Sequence, residues 1–327
     1  MRVLLDTTFA RRGPTGTGVY IERLAAALAA EGVEVVEAWN PRRRPPGEGG
    51  VRSMLNLAGD QRWAAIELPR AARAARADLI HHPLPAHSPG CGRPQVITVH
   101  DLAFVSSPEL FDRRYVLWAL HFHRAAARRA DAVVCVSEAT RRALHAAWGI
   151  DGMVAHHGPG QAPPVAPPRA GARHYLYVGD DEPRKDLATL RAAHARLGAG
   201  AAPLRIAGRA AGGAPVSRER LTALHAEAIA LVHPARIEGF GLTVLEAMAM
   251  GTPVLAARSA AVEEVGGRAI RYFPAGDVAA LAEQMRRLEA DPAAREALGA
   301  AGLARAGEFT WEGSARRHIE AYTLACR

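Results

Sequence analysis

The run IEGFGLTVLEAMAMGTPVLAA sets Glu238 and Glu246 eight positions apart, with Gly239 and Gly241 between them. Glycine lets a backbone approach a ligand closely. A helix predicted to begin near Leu242, after Phe240 and Gly241, would aim its first amides, with the dipole behind them, at a bound phosphate. Glu246, about one turn in, can reach a hydroxyl of the kind a ribose offers; the plainer role for a carboxylate there is to complement the helix dipole.

A second run, VGDDEPRKDLATL, holds Lys185 beside Arg184, and Lys185 is the single lysine among 41 basic residues. Asparagine is nearly as scarce, occurring at Asn40 and Asn56, while Ala, Arg, Gly and Pro abound. Against that background a solvated lysine drifts readily to arginine. One that persists marks a place needing a compact ammonium rather than a planar guanidinium, or stands there by chance.

His100 and Asp101 close the run QVITVHD. A histidine at a strand end most often serves structure, and the aspartate reads first as a turn or capping residue. Gly16 and Gly18 in PTGTGVYIERL are expected to precede the first helix, a weak signal alone because glycine turns are common. His81, His82 and His87 in HHPLPAH have no carboxylate or cysteine at a convincing ligand spacing, so a loop is expected there and no metal site.

These residues need a scaffold, and short β-branched runs alternating with Ala/Leu/Arg-rich helical stretches predict parallel βαβ units. The first-half strand candidates are RVLLDTT, VEVVEAW, LIHHP, QVITVHD, AVVCVS and MVAHHG. After the proline-rich stretch 158–173, read as a linker, come HYLYVGD, LRIAG, AIALVHPA, TPVLAAR and AIRYF. The expected architecture is α/β: two Rossmann-like, doubly wound parallel sheets with a cleft at their carboxyl ends. The domains are expected over 1–160 and 172–309, with an amphipathic helix over about 310–327 packing back on the first. The Pro/Gly/Arg run 40–50 is expected to be a loop.

With 327 residues, 49% of them hydrophobic, the chain can bury a large core. The net charge of +8 favours anionic ligands or an anionic membrane surface. Nucleic acid is not expected, because the basic residues are not interleaved with aromatics and no reader motif occurs. Were the chain to meet an anionic membrane, DQRWAAIELPRAARAARAD is the helix that would lie on it. Core packing of Trp63, Ile66 and Leu68 beneath a solvated face of Arg62, Arg70, Arg73 and Arg76 is its plainer reading. Cys91, Cys135 and Cys326 are far apart and odd in number, which argues for a reducing compartment. The N-terminal run lacks a signal-peptide core, so a cytoplasmic location, or one at the inner face of the membrane, is expected.

EGFGLTVLEAMAMGTPVLA resembles the nucleotide-sugar signature of the retaining GT-B glycosyltransferases of the large family-four type. LYVGDDEPRKDL, TVHDLAF, ADAVVCVSEATRRAL and TGTGVYIERLAAALA resemble other segments of the same family, in the same order, over nearly the whole chain. The resemblance implies roles. Arg184 and Lys185, with Gly16, Gly18, Gly239, Phe240, Gly241 and Leu242, would hold the donor diphosphate. Glu246 would bind the ribose, Glu238 would face the donor sugar, and His100 would lie near the reacting carbon. Val216 and Ser217 are expected to contact the base through their backbone.

It implies transfer from a nucleoside diphosphate sugar to a saccharide, lipid-linked or small-molecule acceptor, with retention and without a metal or other cofactor. TGTGVYIERL, HDLAF and EPRKDL look most like mannosyl-type transferases that build polysaccharides, which puts a GDP-sugar first and a UDP-sugar next. Two departures stand out: Asp180 follows Gly179 where relatives often carry arginine or a small residue, and LRIAGRAAGGAPVSRERL omits a helix and strand that relatives usually insert. The alternatives are an epimerase or phosphorylase on the same fold and a silent partner subunit.

Overall fold

The computed structural model describes residues 1–12, 15–43, 51–160, 171–208, 210, 212 and 216–327. The loop expected over 40–50 falls outside that description beyond Arg43, as does the 161–170 core of the expected linker. The chain forms two compact units, Met1–Gly158 with Trp311–Arg327, and Pro159–Thr310.

The first unit opens with β1 (Arg2–Asp6), α1 (Gly16–Ala30), β2 (Glu34–Ala38), α2 (Val51–Arg62), a π turn (Trp63–Glu67) and α3 (Leu68–Ala74). It continues through β3 (Leu79–His82), β4 (Gln95–Val99), α4 (Ala103–Ser106), α5 (Arg113–Arg129), β5 (Ala132–Cys135), α6 (Glu138–Trp148) and β6 (Met153–Val154). The second unit contains β7 (His174–Val178), α7 (Leu187–Ala195), β8 (Leu204–Ala207), α8 (Arg218–Ala226), β9 (Ala228–His233) and α9 (Leu242–Ala249). It closes with β10 (Val254–Ala257), α10 (Ala260–Gly266), β11 (Arg271–Phe273), α11 (Val278–Ala290) and α12 (Pro292–Ala306). The chain then returns to the first unit with α13 (Trp311–Ala325).

Each unit is built on a parallel sheet, six strands ordered β2-β1-β3-β4-β5-β6 and five ordered β11-β10-β9-β7-β8. In both, the first strand lies between the second and the third, so strand order reverses there and leaves a crevice at the strands' carboxyl ends. The reversals fall at β1/β3 and β7/β9, with Leu4 opposite Ile80 and Leu176 opposite Leu231. Central strands are buried along their length, as parallel sheets covered on both faces require. α1 and α13 cover one face of the first sheet through Tyr20, Ile21, Leu24, Ala321 and Tyr322. Elsewhere in that unit Phe104, Val116 and Trp148 form a second cluster. In the second unit Tyr175, Leu190, Ile229, Leu255 and Leu281 share one core.

All eleven strand candidates are present, trimmed at their ends. The expected single helix around Trp63 is instead α2, the π turn and α3, with Pro69 near the start of α3. Trp63 and Leu68 are buried there, whereas Ile66, expected in the core, is 41% exposed. Among the described residues no strand lies between β8 and α8.

Candidate functional site

The loops after β7 and β9 leave neighbouring strands at the reversal point of the second sheet. After β7 a short 3-10 turn, Pro183–Lys185, leads to Asp186, the N-cap of α7, whose φ is 50°. Asp186 Oδ1 accepts from Thr189 N, and its Oδ2 accepts from Arg236 Nε at 2.7 Å. Arg236 lies in the loop after β9, and its own amide donates to Arg184 O at 2.9 Å. One side chain and its amide thus tie the two loops together, which fixes where the Arg184–Lys185 pair projects.

Lys185 Nζ donates to Glu238 Oε1 at 2.5 Å, and Arg184 Nη1 lies 3.8 Å from Glu238 Oε2. His233, at the end of β9, brings Nε2 to 3.0 Å from Glu238 Oε1. The Glu238 side chain is only 10% exposed. Burial alone would raise its pKa, but Lys185, His233 and Arg184 outweigh that and hold the carboxyl well below its ordinary range. Glu238 is therefore a fixed anion that holds an ammonium in place. That ammonium has two further N–H donors for an incoming anion.

Gly241 caps α9 with a φ of 98°, a left-handed conformation that costs other residues energy. The first helical bond closes from Leu245 N to Gly241 O, so the amides of Leu242, Thr243 and Val244 precede it without a partner inside the helix; Val244 is fully buried, which leaves those of Leu242 and Thr243 to meet an anion. Phe240 is buried edge-on against Phe309, with ring centroids 6.0 Å apart, so only its backbone is offered to a ligand. Glu246 is buried on α9. At the end of β8, Gly208 has a φ of 91°, and a Cβ there would lie 2.6 Å from Gly179 O. No side chain fits where those two backbones meet.

Val216 and Ser217 sit at the start of α8, where Ser217 Oγ caps the helix by accepting from Arg220 N at 3.2 Å. Gly16 and Gly18 require a correction: they do not precede the first helix but are its first and third residues. Thr15 is the cap, and Gly18 N donates to its hydroxyl at 3.1 Å. The amide of Gly18 is thereby occupied.

His100 lies just beyond β4 in the first unit, where its Nε2–H donates to Pro83 O at 2.9 Å. Its ring packs edge-on against Tyr20, centroids 4.8 Å apart. Burial pushes the imidazole below its ordinary range, against the opposing influence of the Pro83 carbonyl and Asp101. Asp101 Oδ1 accepts from Ala103 N at 3.0 Å, a turn role. Of the histidines expected in a loop, His81 and His82 are instead buried in β3, where the strand candidate LIHHP puts them, and His87 lies beyond that strand. His81 meets Thr98 Oγ1 at 2.9 Å and Tyr322 OH at 2.8 Å, and His82 meets Gln95 Oε1 at 3.2 Å. Among the described residues no group of three or more His, Cys, Asp or Glu side chains is arranged to hold a metal ion.

Sequence reasoning missed His233, although it stands five residues before Glu238 in LVHPARIEGF. It also missed Arg236, His157 and His318. The signal for His318 was its spacing of four from Tyr322 on the apolar face of the last helix.

Residues 14–158 match the family model described as Glycosyltransferase Family 4, and residues 213–305 match Glycosyl transferases group 1. The chain belongs to the family-4 type of glycosyltransferases. Over 109 residues it is 38% identical to O-antigen chain mannosyltransferase B of Escherichia coli, a match spanning 33% of this glycosyltransferase-family chain and 29% of that protein. Sucrose-phosphate synthase from Thermosynechococcus elongatus is similar in fold, with a TM-score of 0.77 at 22% identity, covering 99% of this chain and 98% of that one. HepE of Anabaena, in complex with UDP-glucose, superposes with a TM-score of 0.74 at 17% identity, covering 99% of each chain. The fold class is GT-B, with two Rossmann-like units.

Proposed function

We propose that this chain transfers a sugar from a nucleoside diphosphate to an acceptor hydroxyl with retention at the anomeric carbon. The observation that carries the reading is the Lys185–Glu238 pair with Arg184 at the reversal point of the second sheet, in the unit that also carries the amides of Leu242 and Thr243 at the start of α9. As the bond from the anomeric carbon to the phosphate oxygen breaks, negative charge collects on the departing diphosphate. Fixed cations and amides stabilise that charge without reorganising. Glu238 accepts hydrogen bonds from the donor sugar, and Glu246 binds the ribose. His100 keeps its expected role near the reacting carbon. In a front-face transfer the acceptor oxygen bonds to the carbon on the side the diphosphate leaves, and its proton passes to the departing phosphate oxygen.

A GDP-sugar, GDP-mannose first, is the favoured donor, supported by likeness to a mannosyltransferase; the HepE complex keeps a UDP-sugar next. The acceptor is a saccharide, a lipid-linked sugar or a small molecule.

Thermal unfolding with GDP, UDP, ADP and dTDP in turn tests this. At about a hundred times its dissociation constant, the right nucleotide adds about 2.7 kcal/mol. Lys185→Ala should lose that gain, while Glu238→Ala should abolish transfer and leave nucleotide binding largely intact, because Lys185 and Arg184 keep their charges without it. A wild type stabilised by none of the four would overturn the reading.

A further inference from the structure

The helix α5, RRYVLWALHFHRAAARR, contains no acidic residue, and Asp112 beside it is spent as the N-cap, accepting from Arg114 N and Tyr115 N. Its inner face packs through Val116, Ala119, Ala126 and Ala127. At 3.6 residues per turn the remaining residues fall on roughly half the circumference. That half carries Arg113, Arg114, Arg124, Arg128 and Arg129, all exposed. Among the described residues none of the five forms an ion pair. On α6, α11 and α13, by contrast, Arg142, Arg287 and Arg316 each pair with a glutamate four residues away.

Between the arginines the same face exposes apolar side chains: Leu117 is 61% exposed and Phe122 38%. Phe122 ends a ladder of rings running from Phe111 through Tyr115 and Trp118, with centroids 6.1, 6.1 and 5.3 Å apart. The region expected for a membrane role, α2 to α3, exposes Leu55 and Ile66, but it buries Trp63 and Leu68 and carries Glu67, which pairs with Arg62.

We propose that this face of α5 docks on an anionic lipid surface, with Leu117 and Phe122 entering the acyl boundary and the five arginines meeting the headgroups. Charge decides the occupant. Five unpaired guanidiniums with no acid among them repel a second copy of the same face, while anionic lipid headgroups attract them. Trp118 and Tyr115 suit the boundary, where one end of a ring is dry and the other wet.

The test is co-sedimentation of the full chain with vesicles of phosphatidylcholine alone or mixed with phosphatidylglycerol. Binding is expected only to the mixed vesicles, and it should weaken in high salt. Replacing Arg124, Arg128 and Arg129 together by Gln should lower the partition coefficient about a hundredfold, and Leu117→Ser with Phe122→Ser should also lower it. These positions are exposed, so the variants are expected to fold, which circular dichroism checks. No binding to the mixed vesicles, binding kept by both variants, or concentration-dependent self-association lost in the variants without vesicle binding would each overturn the proposal. Vesicle binding is read without any transferase assay, so its outcome is separate from that of the nucleotide test.

Discussion

Lys185 and Glu238 stabilise each other only while both are present. Lys185→Met leaves a buried carboxylate with Arg184 and His233 as its remaining neighbours, a loss of about 1–3 kcal/mol. Glu238→Gln in that background removes the stranded charge, so the double variant should be more stable than additivity predicts by more than about 0.5 kcal/mol in denaturant unfolding. Strict additivity would show that the pair is not coupled. The acid dependence has a definite sign. Glu238 titrates below its ordinary 4.5 when folded, so its contribution is complete above that pH and is lost as pH falls through the folded value. Lys185 and Glu238 were legible because lysine occurs once and the glutamates flank a Gly-x-Gly. His233 was not, since a histidine ending a buried strand looks like any structural histidine until the loop folds back and carries Glu238 to it.

The element that orients this pair is the Pro183–Lys185 turn, and what holds the turn is Arg236. The amide of Arg236 survives any substitution, but its guanidinium is the partner of Asp186. Arg236→Gln should therefore lower affinity for the preferred nucleoside diphosphate several-fold in calorimetric titration. Arg236 is half-exposed but the Asp186 carboxylate is buried, so the variant should also lose about 1–3 kcal/mol in denaturant unfolding, the cost of leaving a buried acceptor without its partner. An unchanged affinity would mean that the turn holds its shape alone. Strands were the most readable elements, since runs such as QVITV and AVVC are β-branched and flanked by turn residues. Helix starts were harder: Gly16 and Gly18 look like a loop until Thr15 is seen to cap the helix through Gly18 N. The break between α2 and α3 escaped too, because a π turn preserves an apolar pattern close to that of a continuous helix.

Across the whole molecule, α13 completes a buried network in the first unit that no single motif reveals. Tyr20 OH meets Thr98 Oγ1 at 2.8 Å and His318 Nε2 at 2.9 Å, and His318 Nδ1 donates to Ser314 O at 2.7 Å. His157 stacks on Trp311 with centroids 5.5 Å apart. Burial pushes the His318 imidazole down to about 4 and that of His157 well below its ordinary range, with His100 adding to both effects. An unfolded chain takes up these protons near pH 6.5 and the folded unit does not, so stability is full above that value and falls as pH drops toward 4. His318→Gln, which keeps an amide for Tyr20, should flatten the decline of the thermal midpoint between about pH 7 and about pH 5; an unaltered slope would mean that the network does not report on pH. An amphipathic last helix was legible, but its histidine and tyrosine were not, because polar rings on an apolar face acquire meaning only from partners far away in sequence. Gly158 packs so closely on Trp311 that a Cβ at Gly158 would lie 2.6 Å from Trp311 N, which brings together the points where the chain leaves the first unit and returns to it. During synthesis the six-stranded sheet must therefore wait, with the α13 side of its core uncovered, while everything after Gly158 is made. At about 5–20 residues per second that wait is roughly ten to thirty seconds, so the unit begun first is completed after the second, and the ribosome's pace sets how long that apolar face stays uncovered.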